Sequence, residues 1–328
     1  MNRLEALPVG QSPAHRKLLA QLRRVAPTDA EVLLTGPTGV GKELYARLLH
    51  RLSRHSAGAF VPVNCGALPN DLFENELFGH IGGAFTGARP RTEGLVAEAD
   101  HGTLFLDEVD ALSLACQVKL LRLIQEKEYR RLGESRTRRA HLRIVAATNA
   151  DLLIAMRDKR FREDLFFRLR VIPIEVPPLR ERREDIRPIL GTYVTHYAEA
   201  YGLPRITFTV AAMHRVSSYS WPGNVRELEN CVRYLTCLQL TGPVEVSDLP
   251  LLDEGDTSAP RREEPDLSGL SLREAKRELV SRFERDYLER ALRESHGNIA
   301  RAARQSGKAR RAFFELMRKH GVKAGGFA

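Results

Sequence analysis

Gly36-Pro37-Thr38-Gly39-Val40-Gly41-Lys42-Glu43 decides the fold. It follows a short apolar run, Glu31-Val32-Leu33-Leu34-Thr35, and opens a stretch with helical periodicity from about 42 to 53. Strand, glycine-rich turn and helix in that order build a phosphate-binding loop. Backbone N–H groups wrap the phosphate oxygens, the helix N-terminus adds favourable partial charge, and Lys42 reaches the outer phosphates. In the strict pattern a Ser or Thr follows the lysine and places its hydroxyl on magnesium; here Glu43 stands at that position. A glycine-rich turn alone is an ordinary surface loop. The flanking strand and helix, and an acidic strand end downstream, give this one its meaning.

That strand end is Leu104-Phe105-Leu106-Asp107-Glu108. Two carboxylates at the C-terminal end of an apolar strand lie where open α/β folds bind ligands. Asp107 would hold hydrated magnesium and Glu108 would polarise the attacking water. Three more runs read as strands: Phe60-Val61-Pro62-Val63-Asn64, Leu142 to Thr148 and Val171-Ile172-Pro173-Ile174. Helical patterns lie between them, at 111–126 for example, and residues 12–25 put Leu18, Leu19, Leu22 and Val25 on one helical face. Short apolar strands alternating with helices predict an α/β fold, a parallel sheet between helices. Asn149 follows the Leu142–Thr148 strand and could orient water or sense a γ-phosphate, although an Asn there is more often a turn residue. Arg162 and Arg168, six apart, fall near one edge and could stabilise charge on a neighbouring subunit's γ-phosphate; solvated helix arginines are the plainer alternative.

Residues 178–250 read as a small helical subdomain, with helices at Asp185–Tyr201, Val210–Tyr219 and Val225–Gln239. The polar, Pro- and Gly-broken stretch 251–270 reads as a linker. The expected division is therefore 1–175 for an α/β ATPase part, 176–250 for an α-helical lid, 251–270 for the linker and 271–328 for a small all-α domain. Of 328 residues, 43% are hydrophobic, enough for a sizeable core, and no apolar run is long enough to span a membrane. The start lacks the apolar segment of a signal peptide. Four cysteines (Cys65, Cys116, Cys231, Cys237) form no C-x-x-C pair and read as reduced core residues of a cytoplasmic protein.

Charge is uneven. Residues 271–328 hold 15 Lys and Arg against 7 Asp and Glu, so +8 of the chain's net +9 falls there. A basic tail on a near-neutral body suits a polyanion, or is simply a basic surface. Asn298 to Arg304 reads as a short helix, Gly307 as a turn, and Arg310 to His320 as a basic second helix, the order of a helix-turn-helix. Lys308, Arg310 and Arg311 open the second helix, where phosphates and base edges of double-stranded DNA are reached. Ala309 stands where Ser often caps such a helix, at a cost of roughly 1 kcal/mol. A basic three-helix docking domain is the alternative.

One further stretch, Gly83-Ala84-Phe85-Thr86-Gly87-Ala88, lies between the two ATP-handling motifs, where a plain nucleotide-binding fold needs no insertion. Two glycines bracket an aromatic ring and a hydroxyl, which suits a loop tip that touches a partner.

Taken together these motifs resemble one family, the AAA+ activators of sigma-54 RNA polymerase, also called bacterial enhancer-binding proteins. Glu43 after the loop lysine is typical of it. So are Val63-Asn64-Cys65, Glu76-Leu77-Phe78-Gly79-His80, the Gly83–Ala88 loop, Ala147-Thr148-Asn149, Phe161–Leu169, Pro178-Leu179-Arg180-Glu181-Arg182 and Trp221–Leu228. They run in family order from about residue 9 to 250. The resemblance implies an AAA+ P-loop ATPase with a helical lid, with ATP and Mg2+ as cofactors. It implies that Asn64 restrains Glu108 until the γ-phosphate is sensed. Asn149 would be sensor I, Arg226 sensor II, and Arg162 and Arg168 arginine fingers acting in trans. Phe85 and Thr86 would engage the sigma factor of the RNA polymerase holoenzyme, from a homo-oligomeric, hexameric ring. The tail resembles the Fis-type domain, which would bind an upstream activating sequence, with the helix at about 271–294 as its dimer-forming element.

Two positions depart from the family: Pro37-Thr38 with Val40 makes the loop's middle less polar, and Glu134 replaces a second glycine in Arg131-Leu132-Gly133-Glu134. A start almost at the AAA+ core would leave no room for a receiver domain, and the resemblance then implies the phage-shock activator type, controlled by a separate negative regulator. Two other readings stay open: a DNA-binding regulator that uses ATP only to oligomerise and acts with other sigma factors, and a general AAA+ remodeller or helicase loader. The intact Gly83–Ala88 loop speaks against both.

Overall fold

The computed structural model describes residues 8–67, 70–81, 92–251, 288, 292, 295, 298–306 and 310–321. Two compact units divide at Leu251 and Leu252. In the first, α1 (Pro13–Val25) leads into β1 (Val32–Thr35), α2 (Lys42–Arg51) and β2 (Phe60–Asn64). Next come α3 (Asn70–Phe78), the short strands β3 (Gly79–His80) and β4 (Thr92–Glu93), α4 (Leu95–Glu98) and β5 (Thr103–Asp107). After these run α5 (Leu114–Glu126), the short β6 (Glu128–Tyr129) and β7 (Arg138–Arg139), β8 (Arg143–Thr148), α6 (Leu152–Arg157), α7 (Glu163–Leu169) and β9 (Ile172–Glu175).

The five long strands form one parallel sheet in the order β2-β5-β8-β1-β9. Their alternation divides the core cleanly. Leu33, Val61, Val63, Leu104, Leu106, Ile144 and Ala146 face α3, α5, α6 and α7. Val32, Leu34, Phe105, Val145, Ala147 and Ile174 face α1 and α2. Period-2 side chains on a sheet covered on both faces give this pattern. The central β8 is buried along its whole length. Even its first residue, Arg143, is fully buried, and its guanidinium donates to the carbonyls of Ala26 (2.8 Å) and Val25 (3.2 Å) at the end of α1. The strand readings therefore hold within a residue at each end, and the helix read at 111–126 begins at Leu114 after a 3-10 turn at Val109–Ala111.

Three helices come after the sheet: α8 (Ile186–Tyr201), α9 (Val210–Ser218) and α10 (Asn224–Cys237). They close over their own core of Leu190, Val194, Tyr197, Val216, Trp221, Leu228, Val232 and Leu235. This is the lid, and polar contacts seat it on the sheet domain. Asp185 accepts from the amides of Gln11 and Ser12 and from the Ser12 hydroxyl. Arg182, 2% exposed, donates to the Tyr45 hydroxyl at 2.7 Å and to the Val40 carbonyl at 2.8 Å.

The second unit contains α11 (Ile299–Gln305) and α12 (Arg310–Lys319), packed through Ala302, Ala303, Phe313 and Met317 with Leu288 and Leu292. Asn298 caps α11, accepting from the amides of Ala300 and Arg301. Residues 252–270 and most of 271–294 lie outside the described residues, as do Gly307, Lys308 and Ala309. Cys65, Cys116 and Cys231 are buried as expected, but Cys237, at the last turn of α10, is exposed. No helix among the described residues is long and apolar enough to cross a membrane.

Candidate active site

The sheet order brings β1, β5 and β8 side by side, so that the loops after them meet at one edge. After β1 the chain turns through Gly36–Gly41 into α2. Gly41 caps that helix in a left-handed backbone with no side-chain cap; Leu44 N turns back on Gly41 O at 3.0 Å, and the N–H groups ahead of it can meet an anion. Lys42 is buried, and its ammonium rests on the carbonyls of Gly36 (2.8 Å) and Pro37 (3.2 Å). Burial pulls its pKa down, Asp107 and Glu108 push it up, and Arg226 adds to the lowering. One buried cation thus faces two carboxylates across the mouth of the loop.

Asp107 ends β5, and its carboxyl pKa is raised by burial, with Lys42 opposing. A partly buried carboxylate with one opposing lysine fits a divalent cation, which would supply the missing positive charge. Glu108 comes next in a left-handed backbone (φ 54°), and its amide donates to Asp107 Oδ1 at 3.0 Å. A non-glycine residue held there marks a constrained turn that aims the side chain. Asn64 lies across the β2–β5 pair from Asp107. Its Oδ1 accepts from Gly66 N at 2.8 Å, and a Cβ built on Gly66 would meet both Glu108 Oε2 (2.8 Å) and Asn64 Oδ1 (3.5 Å). The two side chains therefore approach one small gap, while Asn64 is held by its own turn.

Asn149 leaves β8 toward the same edge, and its Nδ2 donates to Thr38 Oγ1 at 2.9 Å. Arg226, in the first turn of α10, reaches the loop by its backbone, N to Gly39 O at 3.2 Å, with its side chain exposed. Between loop and lid is an open cleft of about 640 Å3, lined by Thr38, Gly223, Arg226, Glu227, Asn230 and Tyr234 among others. Glu43 turns away from the loop: its Oε1 accepts from Arg47 Nε at 2.9 Å and Nη2 at 2.6 Å.

Lys42, Asp107, Glu108, Asn64, Asn149 and Arg226 are thus brought together. Arg162 and Arg168 are not among them. Both are exposed, Arg162 just before α7 and Arg168 in its last turn, and Arg162 is forked onto Asp164 at 2.6 and 3.0 Å. Phe85 and Thr86 lie outside the described residues, but the elements that bracket them are clear. Antiparallel β3 and β4 pair Gly79 with Glu93 and His80 with Thr92. Leu132 then joins that ribbon, donating to Gly79 O (2.8 Å) and accepting from Ile81 N (3.2 Å), while the buried Arg131 pairs with Glu93. Glu134 chelates Arg138 at 2.9 and 3.0 Å, so this carboxylate helps to close the turn it occupies. In the second unit Arg310 and Arg311 are exposed in the first turn of α12, whose Phe313 and Met317 are buried.

Sequence reasoning assigned no role to Asn224 or Arg182, the two buried side chains that join lid to loop. Both sit inside the family motifs Pro178–Arg182 and Trp221–Leu228, which was the available signal.

Three family descriptions match the chain. "Sigma-54 interaction domain" covers residues 8–175, "AAA+ ATPase lid domain" 180–265 and "Bacterial regulatory protein, Fis family" 280–320. The transcriptional regulatory protein GlrR of Escherichia coli (strain K12) is 40% identical over 323 residues, 97% of this chain and 69% of that protein. The sigma54-dependent transcriptional regulator SfnR of Pseudomonas fluorescens is 46% identical over 243 residues, 74% of this chain and 66% of that one. Among solved structures, NtrX from Brucella abortus in complex with ATP aligns with a TM-score of 0.71 at 34% identity, over 97% of this chain and 70% of NtrX. The chain spans about two thirds of the length of these relatives.

Proposed function

This chain belongs to the family of AAA+ activators of sigma-54 RNA polymerase, and we propose from that membership how its residues divide the work. It is an ATPase and a DNA-binding activator of transcription. ATP lies along the Gly36–Glu43 loop with its outer phosphates at Lys42 and the α2 N-terminus. Glu108 accepts a proton from the attacking water, and Asn149 and Arg226 contact the γ-phosphate from the sheet and the lid. Asp107 holds Mg2+, which would neutralise charge developing on the phosphate oxygens. Arg162 and Arg168, exposed and outside the chain's own cluster of site residues, serve the site of a neighbour in a hexameric ring. Phe85 and Thr86 grip the sigma factor, and hydrolysis moves them through the β3–β4 ribbon. Arg310 and Arg311, with Lys308, bind the upstream DNA in the cytoplasm, under a separate protein that restrains the ring.

The observation that carries this reading is the buried Lys42 ammonium, resting on two loop carbonyls and facing Asp107 and Glu108. Glu108→Gln should lower ATP turnover by about 10²–10⁴ and leave nucleotide binding intact. Opening of a sigma-54 promoter should fall with it. Turnover at the parental rate would show that another group takes the proton.

A further inference from the structure

Asn224 is not among the groups assigned to the nucleotide, yet it is 3% exposed. It opens α10 in a left-handed backbone, φ 54°, which asparagine tolerates better than most residues with a side chain. Both ends of its amide are engaged. Oδ1 accepts from Leu179 N at 2.8 Å, where the chain enters the lid, and Nδ2 donates to the Thr38 carbonyl at 3.0 Å. Thr38 presents its hydroxyl to the other side, accepting from Asn149 Nδ2. A single residue of the phosphate loop therefore stands between the end of β8 and the lid.

We infer that Asn224 is a positioning residue that, through Thr38, couples the group Asn149 touches to the seat of the lid. This rests on the assignment of the Gly36–Glu43 loop as the ATP site. The Asn149 amide holds a neutral hydroxyl in the structure. A γ-phosphate oxygen is a charged acceptor, and a charge-assisted hydrogen bond is about twice as strong. A nucleoside triphosphate then draws the amide off Thr38, and a diphosphate leaves it in place. Thr38, its hydroxyl released, is then held through its carbonyl by Asn224, so the two nucleotides set different lid positions.

Trp221 is the chain's one tryptophan, buried three residues before Asn224 with its indole N–H on the Val216 carbonyl at 2.9 Å. Its emission reports the lid in the full chain without a label. The experiment titrates ADP and a non-hydrolysable ATP analogue into the parent, Asn224→Asp, Thr38→Val and the double variant, and measures ATP turnover in each. Asn224→Asp keeps the acceptor for Leu179 and loses the donor to Thr38; Thr38→Val loses only the hydroxyl.

The parent should show different emission with the analogue and with ADP. Each single variant should erase that difference and lower kcat about fivefold, the factor one ordinary hydrogen bond carries, with KM changed less than about twofold. In the double variant the losses should not multiply, as for members of one network. Thr38→Ser, which restores a hydroxyl, should recover the emission difference. An emission difference that persists in both single variants overturns the inference, as does multiplication in the double. If Asn224→Asp unfolds, Thr38→Val, an exposed side chain, decides alone. A parent that binds neither nucleotide refutes the ATP site and this inference with it. A parent that hydrolyses ATP while the variants match it refutes this inference alone.

Discussion

Replacing Gly39 by Ala should unseat the lid from the phosphate loop, and replacing Gly41 by Ala should not. Both glycines hold a left-handed backbone, φ 79° and 94°. A side chain in that region costs roughly 1–2 kcal/mol, a loss common to both variants. Their surroundings differ. A Cβ on Gly39 would lie 2.3 Å from the Gly223 carbonyl oxygen and 3.1 Å from Arg226 Cβ, both on the lid, whereas at Gly41 the nearest atom is Leu44 Cδ1 at 3.8 Å. Gly39→Ala must therefore push a lid carbonyl away. That movement stretches Arg226 N to Gly39 O (3.2 Å) and the Asn224 bond to Thr38 (3.0 Å). At about 0.5–1.5 kcal/mol for each bond, the extra loss is about 1–3 kcal/mol. The total is about 2–5 kcal/mol for Gly39→Ala and 1–2 kcal/mol for Gly41→Ala. Urea unfolding of the nucleotide-free chain, followed by Trp221 emission, measures both. If the two variants lose the same stability within about 0.5 kcal/mol, the lid does not rest on Gly39 and this account of the loop–lid contact is refuted.

Other substitutions probe the rest of the frame. Burial first, then His55, Arg47, Arg51 and Arg143, holds the His50 pKa below its usual value. A depressed histidine contributes stability that is present above the unfolded pKa, about 6.5, and lost as pH falls through the folded one. The urea midpoint should therefore drop between pH 7.5 and 5. His50→Gln, able to keep the contact to Thr103, should flatten that drop without abolishing it, because His15 is shifted the same way; an unaltered slope would remove His50 from the account. Arg143→Met takes the cationic donor from the carbonyls at the end of α1 and should cost roughly 2–4 kcal/mol in the same denaturation experiment. Arg310→Ala and Arg311→Ala should each weaken operator binding and lower the slope of log affinity against log salt by about 1, as for a lost phosphate contact, whereas a contact to a base edge would change sequence preference instead.

The sheet and lid were legible because their signals are local. Val32–Leu34, Leu104–Leu106 and Ile144–Ala147 are apolar runs bounded by turns, and the glycine-rich loop and the Asp107-Glu108 strand end carry their chemistry in adjacent residues. The contacts that complete the site are not local. Asn224 lies 186 residues from Thr38, and Asn149 lies 111 from it. No local stretch of sequence says that these amides share one threonine. The β3–β4 ribbon escaped for a different reason: strands of two residues have no period to detect, and their pairing shows only in the fold. The Cys237 error came from treating all four cysteines alike. Cys231 and Cys237 are six apart on α10, a separation that turns them to different faces of the helix, and helical phase should have separated them.

The same contrast between rigid and exchangeable parts indicates how the site responds to nucleotide. β8 is buried throughout, paired with β5 and β1, and held at its start by Arg143, so Asn149 at its end is carried on the stiffest strand of the sheet. Thr38 is exposed, and hydrogen bonds of about 3 Å hold it, of which the one from Asn149 Nδ2 to its hydroxyl is exchangeable for a bond to phosphate. On the opposite side Glu108 and Asn64 share the gap at Gly66, next to β2, an edge strand of the sheet. A change at the γ-phosphate therefore has two soft exits from a rigid sheet, one through Thr38 and Asn224 to the lid and one through Glu108 and Asn64 to β2 and the chain beyond it. After β2 that chain runs through α3 into the β3–β4 ribbon that brackets Phe85 and Thr86. Both exits begin at the same group, so loss of the γ-phosphate would be felt in the lid through Thr38 and in the ribbon through Asn64 as one event rather than two.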